Sequence, residues 1–184
     1  MSKGARGWGL HQEAHARELA GDLGIPDFVY LPATVQKGNA WREVSDGLLI
    51  SGDAGVILQV KARDPDAAAR DSPAKAAAWV EKKAAEALRQ AVGTRREIER
   101  LGSITVTSLR GYERAVQSAH DWPAVVIVDH PALPTGIRLD HERTCFWTTL
   151  DDWHALHTQL RSTTHVIEYV KRALQSGLNP ELGH

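Results

Sequence analysis

Apolar and polar positions along this chain sort into helical and strand periods separated by glycine, proline and short polar breaks. Over 10–23, Leu19 and Leu23 stand four apart with the small residues Ala16 and Ala20 on neighbouring turns, which predicts a helix. Gly24 stops it and Pro26 forbids easy continuation. Residues 27–31, Asp-Phe-Val-Tyr-Leu, read as a strand, ended by Pro32 and the polar segment Gln36-Lys37-Gly38-Asn39. Residues 45–61 hold two apolar runs around a short polar break, the pattern of a β-hairpin. The stretch Arg63-Asp64-Pro65-Asp66 marks a loop. Ser72-Pro73 then reads as an N-cap followed by proline in the first helical position, opening an alanine-rich helix from Ala74 to about Val92. Gly93-Thr94 predicts an interruption, with Arg95 to Leu101 as a further turn or a separate short helix.

Residues 103–109 alternate like a strand, and 124–128, Ala-Val-Val-Ile-Val, form the most apolar run, a central strand buried on both faces. Residues 144–148 add another strand. From Leu150 to Leu174 the chain reads as helical, with Leu156, Leu160, Ile167, Val170 and Leu174 as core contacts and Asp151 or Thr149 as the cap. No internal repeat or low-complexity linker divides the chain, so one domain over 1–184 is expected.

The hairpin carries the chemistry. Side chains alternate across a strand, so Gln59 and Lys61 share one face while Val56, Leu58 and Val60 take the other. On the first strand Asp46 shares its face with Val44, Leu48 and Ile50. A four-residue loop, Ser51 to Ala54, would pair Ile50 with Gly55, Leu48 with Ile57 and Asp46 with Gln59. Asp46, Gln59 and Lys61 then lie on one surface, and a one-residue slip would send Asp46 to the other. A lysine at the end of an apolar strand needs a partner, and a carboxylate with a bound phosphate would supply one. A carboxylate, an amide oxygen and a strand carbonyl are hard oxygen donors of the kind Mg²⁺ takes. Together with a lysine point charge they suit metal-assisted phosphodiester cleavage. The plainer reading is a half-buried hairpin with Asp46 at a strand start and Lys61 snorkelling at a strand end.

Ser45-Asp46 followed by Gln59-Val60-Lys61 resembles the PD-(D/E)xK superfamily of nucleases, in particular the branch whose motif reads QxK, as in Mrr-like nucleases. The resemblance implies an α/β protein with the three-layer restriction-endonuclease-like fold, an αβββαβ core whose mixed central sheet is flanked by helices. It covers about 9–130, with a C-terminal strand and helix extension at about 144–176. It implies that Asp46 and Gln59 bind Mg²⁺ or Mn²⁺ and that Lys61 assists catalysis on DNA. Ser45 stands where the family motif has Pro, and Gln59 where it usually has an acid, which lowers the negative charge of the site. Relatives of this kind often add a glutamate from the first helix. Glu13, four residues after Gly9 in a G-x-x-x-E pattern, is preferred over Glu18 as a third metal ligand. Five residues turn a helix by about 500°, so those two cannot point the same way.

On the alanine-rich helix Lys75, Lys82 and Arg89 recur every seven residues and share one stripe, a candidate surface for a nucleic-acid backbone. Glu81 and Glu86 lie on the same helix, so an ordinary solvated face explains that stripe equally well. Trp41, Trp79 and Trp122 read as core or rim aromatics. His154 and His157 are three apart but have no third ligand at a useful spacing.

The net charge of −1 gives no global attraction to nucleic acid, so binding would rely on a local basic surface. The single cysteine, Cys145, excludes an internal disulfide. The absence of a membrane-length apolar run and of a signal-peptide core adds the expectation of a soluble, cytoplasmic chain. No glycine-rich phosphate loop precedes a helix, which disfavours a nucleotide-dependent enzyme. Two functions follow: a metal-dependent nuclease, or a catalytically weak or inactive module of the same fold that binds nucleic acid or a partner protein. A homodimer is compatible with either.

Overall fold

The computed structural model describes residues 3–23, 26–31, 34–37, 40–43, 45–117, 122–134, 137, 139 and 144–177. Gly24, Pro32, Gly38, Asn39 and Val44 lie outside the described residues, as does the side chain of Trp41. Helix α1 spans Lys3–Leu23 and begins well before the expected start. A 3-10 turn at Pro26–Phe28 leads into a two-residue strand, β1 (Val29–Tyr30). Strands β2 (Thr34–Lys37) and β3 (Ala40–Glu43) form a separate antiparallel pair in the segment that reads from sequence as a polar break. The hairpin follows as β4 (Gly47–Ser51) and β5 (Ala54–Ala62). A short helix, α2 (Pro65–Ala68), capped by the Asp64 side chain, occupies the expected loop.

Helix α3 runs unbroken from Pro73 to Leu101, with Ser72 as its N-cap. Gly93-Thr94 does not interrupt it. The buried row Ala76, Val80, Ala84, Ala87, Ala91 continues through Thr94 to Ile98, so packing against the sheet outweighs the glycine. The Thr94 hydroxyl also donates to the Gln90 carbonyl at 3.0 Å, which satisfies it inside the helix. Gly102, at φ 69°, then closes the helix in the left-handed region where glycine is favoured.

Strands β6 (Ser103–Thr107) and β7 (Glu113–Gln117) pair antiparallel as a second small sheet. Strand β8 (Ala124–Asp129) and strand β9 (Cys145–Thr148) complete the main sheet. The expected single C-terminal helix is two: α4 (Leu150–Leu160), capped by Thr149, and α5 (Thr163–Gln175), capped by Ser162. Arg161 adopts φ 46°, which breaks the helix between them.

The protein is therefore α/β, built on a mixed five-stranded sheet in the order β1-β4-β5-β8-β9. The first three strands run antiparallel to their neighbours, and β5, β8 and β9 run parallel. The β5-to-β8 connection carries α3, as a parallel pair requires. On one face α3 and the β6–β7 hairpin cover Leu48, Ile50, Ile57, Val126 and Val128. On the other, α1, α4 and α5 cover Leu49, Val56, Leu58, Val125 and Ile127. Val125 to Val128 have no exposed surface, as expected for a strand buried on both sides. Each such side chain contributes about 1.5–3 kcal/mol by leaving water. The Trp153 indole donates to the Ala16 carbonyl at 3.0 Å and ties α4 to α1.

Candidate active site

The hairpin register sets the site. Ile50 pairs with Gly55 and Leu48 with Ile57, as the alternation requires, and Ser51 with Ala54 closes the ladder above a two-residue turn. Gly52 supplies the φ of 58° that this turn needs. At the other end Gly47 pairs with Leu58, and the Asp46 amide donates to the Leu58 carbonyl at 3.1 Å. The ladder ends there, and Asp46 lies just beyond it, beside Leu58, with its carboxylate turned to Lys61.

Asp46 and Lys61 meet there. The Lys61 ammonium lies 3.9 Å from Asp46 Oδ2, and the two side chains are 14% and 17% exposed. Both are mostly sheltered, yet reachable from solvent. The Val60 amide donates to the same Oδ2 at 2.7 Å, which fixes the carboxylate against β5. From the opposite layer the Arg17 guanidinium donates to the Asp46 carbonyl. Its aliphatic stem covers Gly47, where an added Cβ would stand 3.1 Å from Arg17 Cδ. The backbone of Asp46 is therefore held by β5 and by α1. Gln59 is 2% exposed and shares the face of Ile57 and Lys61.

Glu86 of α3 joins this rim. The Lys83 ammonium, 2.6 Å away, holds the Glu86 carboxyl below the usual carboxylate range, with Lys61 and Arg89 adding to the effect. Lys61 therefore stands beside the Asp46 carboxylate, and its charge also lowers Glu86 of α3. Sequence periodicity places Glu86 on the helix but gives no sign that it reaches the strand lysine.

Two residues beyond Lys61, Arg63 continues the ladder by donating its amide to the Asp129 carbonyl at 2.8 Å. Its Nε and Nη2 donate to the two Asp71 oxygens at 2.9 and 3.1 Å. The guanidinium carbon lies 5.7 Å from the Trp79 ring centre. His130, whose side chain has no exposed surface, stands with Nε2 3.6 Å from Asp71 Oδ2 and accepts the Ala132 amide on Nδ1 at 3.1 Å. Alternation extended past Lys61 would have put Arg63 on this face, while its partner Asp71 comes from the α2–α3 connection.

The other expected residues lie further out. Glu13 is half-buried on α1, one turn before Arg17. Lys75, Lys82 and Arg89 share an exposed stripe on the outer side of α3, away from the row packed on the sheet. Of the three, Arg89 bears on the rim through its effect on Glu86. His157 is fully buried beside the Trp153 ring, 4.4 Å between centres, whereas His154 is exposed. Trp122 is core, packed on Gly55, and Trp79 lines the Arg63 cluster.

On the opposite face, burial and the Asp151 carboxylate raise the Asp129 carboxyl above its ordinary range, against the pull of His130 and His15.

For a divalent ion the donors named by the hairpin motif are one carboxylate, Asp46, and one neutral amide, Gln59. Both are hard oxygen donors and fit an ion that keeps several of its waters. Among the described residues no three His, Cys, Asp or Glu side chains gather into a preformed metal cluster. Among them, too, no helix is long and apolar enough to cross a membrane. In comparisons with known proteins, no family model, no curated protein and no solved structure matches this chain.

Proposed function

We propose that this protein is a metal-dependent nuclease of the restriction-endonuclease-like fold, hydrolysing phosphodiester bonds in DNA. The observation that carries the reading is the meeting of Asp46 and Lys61, 3.9 Å apart, with Gln59 on the same face. The order helix, three antiparallel strands, helix, parallel strand supports the fold, since it is the αβββαβ order the QxK motif implies. Asp46 and Gln59 would hold Mg²⁺ or Mn²⁺. When bound, the ion lowers the pKa of a water and offsets charge developing on the phosphate.

The chain's own residues do the rest. The Val60 amide and the Arg17 contact to the Asp46 backbone keep the carboxylate fixed. That rigidity is what positioning of reacting groups requires. Lys61, beside Asp46, orients the attacking water or stabilises the phosphoryl oxygens. The test is Mg²⁺-dependent nicking of plasmid DNA by the parent, Asp46→Ala and Lys61→Ala. Loss of cleavage in both variants with unchanged thermal melting is the expected result; equal activity in all three overturns the assignment.

A second reading has one observation in its favour. Gln59 brings no charge, and Asp46 Oδ2 already accepts an amide and faces an ammonium. A module that binds DNA without cutting it would leave plasmid intact in Mg²⁺ and Mn²⁺ while still retarding it in a gel.

A further inference from the structure

We infer that Arg63 is a second phosphate-binding residue, gripping the nucleic-acid backbone beside the bond that Lys61 serves. The inference rests on the nuclease reading of the Asp46–Lys61 site and adds a contact that the QxK motif does not contain.

Arg63 follows Lys61 by two residues, and its amide continues the β5–β8 ladder. Two residues along a strand keep the same face and advance by about 7 Å. That step is comparable with the spacing of neighbouring phosphates along one strand. Arg63 meets α3 through the Trp79 ring. The guanidinium is held by one edge only. Nε and Nη2 take the two Asp71 oxygens, and the ring of Trp79 lies beside the plane. Among the described residues Nη1 has no hydrogen-bond partner, and the side chain is 27% exposed.

A guanidinium has five donors in a fixed fork. Anchoring one edge to a carboxylate aims the other edge outward and removes the rotamer freedom that a phosphate would otherwise have to quench. Asp71 is itself sheltered, 9% exposed, and braced by the buried His130. The cluster is thus a rigid mount that leaves three N–H donors unused, two residues along the chain from Lys61. A lysine could not replace it, since an ammonium lacks the second edge.

The test uses the full chain and fluorescein-labelled duplex and single-stranded oligonucleotides, read by anisotropy in Ca²⁺ so that cleavage does not intervene. Removing Arg63 alone would strand a sheltered carboxylate and risk unfolding. The main variant is therefore Arg63→Gln with Asp71→Asn, which keeps the net charge of the chain unchanged. Any loss of binding then reflects the local contact rather than bulk charge. The expected result is binding weaker by about five- to twentyfold, with the slope of log K against log salt shallower by about one. Arg63→Lys should retain the salt slope and lose part of the affinity. Binding and slope equal to those of the parent in the double variant overturn the role of Arg63, while leaving the cleavage assay of Asp46 and Lys61 to stand by itself. A parent chain that binds neither oligonucleotide overturns the inference and the nuclease reading together.

Discussion

His157 should make this protein sensitive to mild acid. The imidazole has no exposed surface, both of its nitrogens lack a hydrogen-bond partner, and the Trp153 ring packs 4.4 Å from its centre. Burial, with a smaller contribution from His154, pushes its pKa down from 6.5 to about 4. The folded state therefore refuses a proton that the unfolded chain accepts throughout that window. Stability is full above the unfolded pKa, falls as pH drops through it, and has lost its whole increment below the folded pKa. At 1.36 kcal/mol per pKa unit the increment totals about 3 kcal/mol, of which about 1 kcal/mol is gone at pH 5.5 and about 2 kcal/mol at pH 5. The comparison is urea denaturation of the parent and His157→Leu at a series of pH values from about 7.5 to about 4.5. Asp129 and Glu86 titrate alike in both proteins and cancel in the difference. The gap between the two stabilities should move in favour of the leucine variant by about 2 kcal/mol between pH 7.5 and pH 5. Parallel pH profiles would show that the imidazole reaches water or a partner, and would refute the reasoning.

Three other perturbations follow from the packing. A Cβ on Gly55 would stand 2.2 Å from Trp122 Cζ3, and Trp122 is 4% exposed, so Gly55→Ala should destabilise by about 1–3 kcal/mol or more in chemical denaturation. A melting temperature at or above that of the parent contradicts this packing. Arg161→Gly relieves a non-glycine residue at φ 46° and should raise stability by up to about 1 kcal/mol in the same assay. A clear loss would mean that the Arg161 contact to the Thr158 carbonyl outweighs backbone strain. Trp153→Phe leaves the buried Ala16 carbonyl without its 3.0 Å donor and should cost about 1–3 kcal/mol, seen as a lower urea midpoint.

The elements that could be read from sequence are those whose burial is written into a regular period. The β4–β5 register followed from alternation, because slipping it by one residue would turn Leu48, Ile50 and Ile57 away from α3. Strand β8 announced itself by a run of β-branched residues. Elements that bury little were hidden. In β7 Val116 is the buried position, and in α2 it is Ala68. The break between α4 and α5 rests on a left-handed arginine, a residue with no preference for that conformation, so nothing local signalled it. Conversely, Gly93 looked like a stop but lies on the exposed side of α3, where the buried row runs past it.

The same division holds for the candidate site. Gln59 and Lys61 were legible because they share one strand, whose alternation decides their face, while Asp46 lies just beyond the β4 ladder. Arg17, Glu86 and Asp71 were not, because each reaches the hairpin from another layer or connection. The seven-residue stripe of Lys75, Lys82 and Arg89 is real as a stripe, but periodicity alone gives no direction, and it faces outward. On α3 it is the Glu86 carboxyl, held by Lys83, that responds to the charge of Lys61.

The claim at the centre is that the Asp46 carboxylate and the Gln59 amide together face one divalent ion beside Lys61. Calorimetric titration of Mn²⁺ into the parent and into Asp46→Ala, in the presence of a duplex with a non-hydrolysable phosphorothioate backbone, tests it most directly. One saturable site in the parent complex that disappears in the variant, with both proteins folded and both still binding the duplex, is the expected result. Identical Mn²⁺ isotherms, or no protein-dependent site in the parent complex, would contradict it.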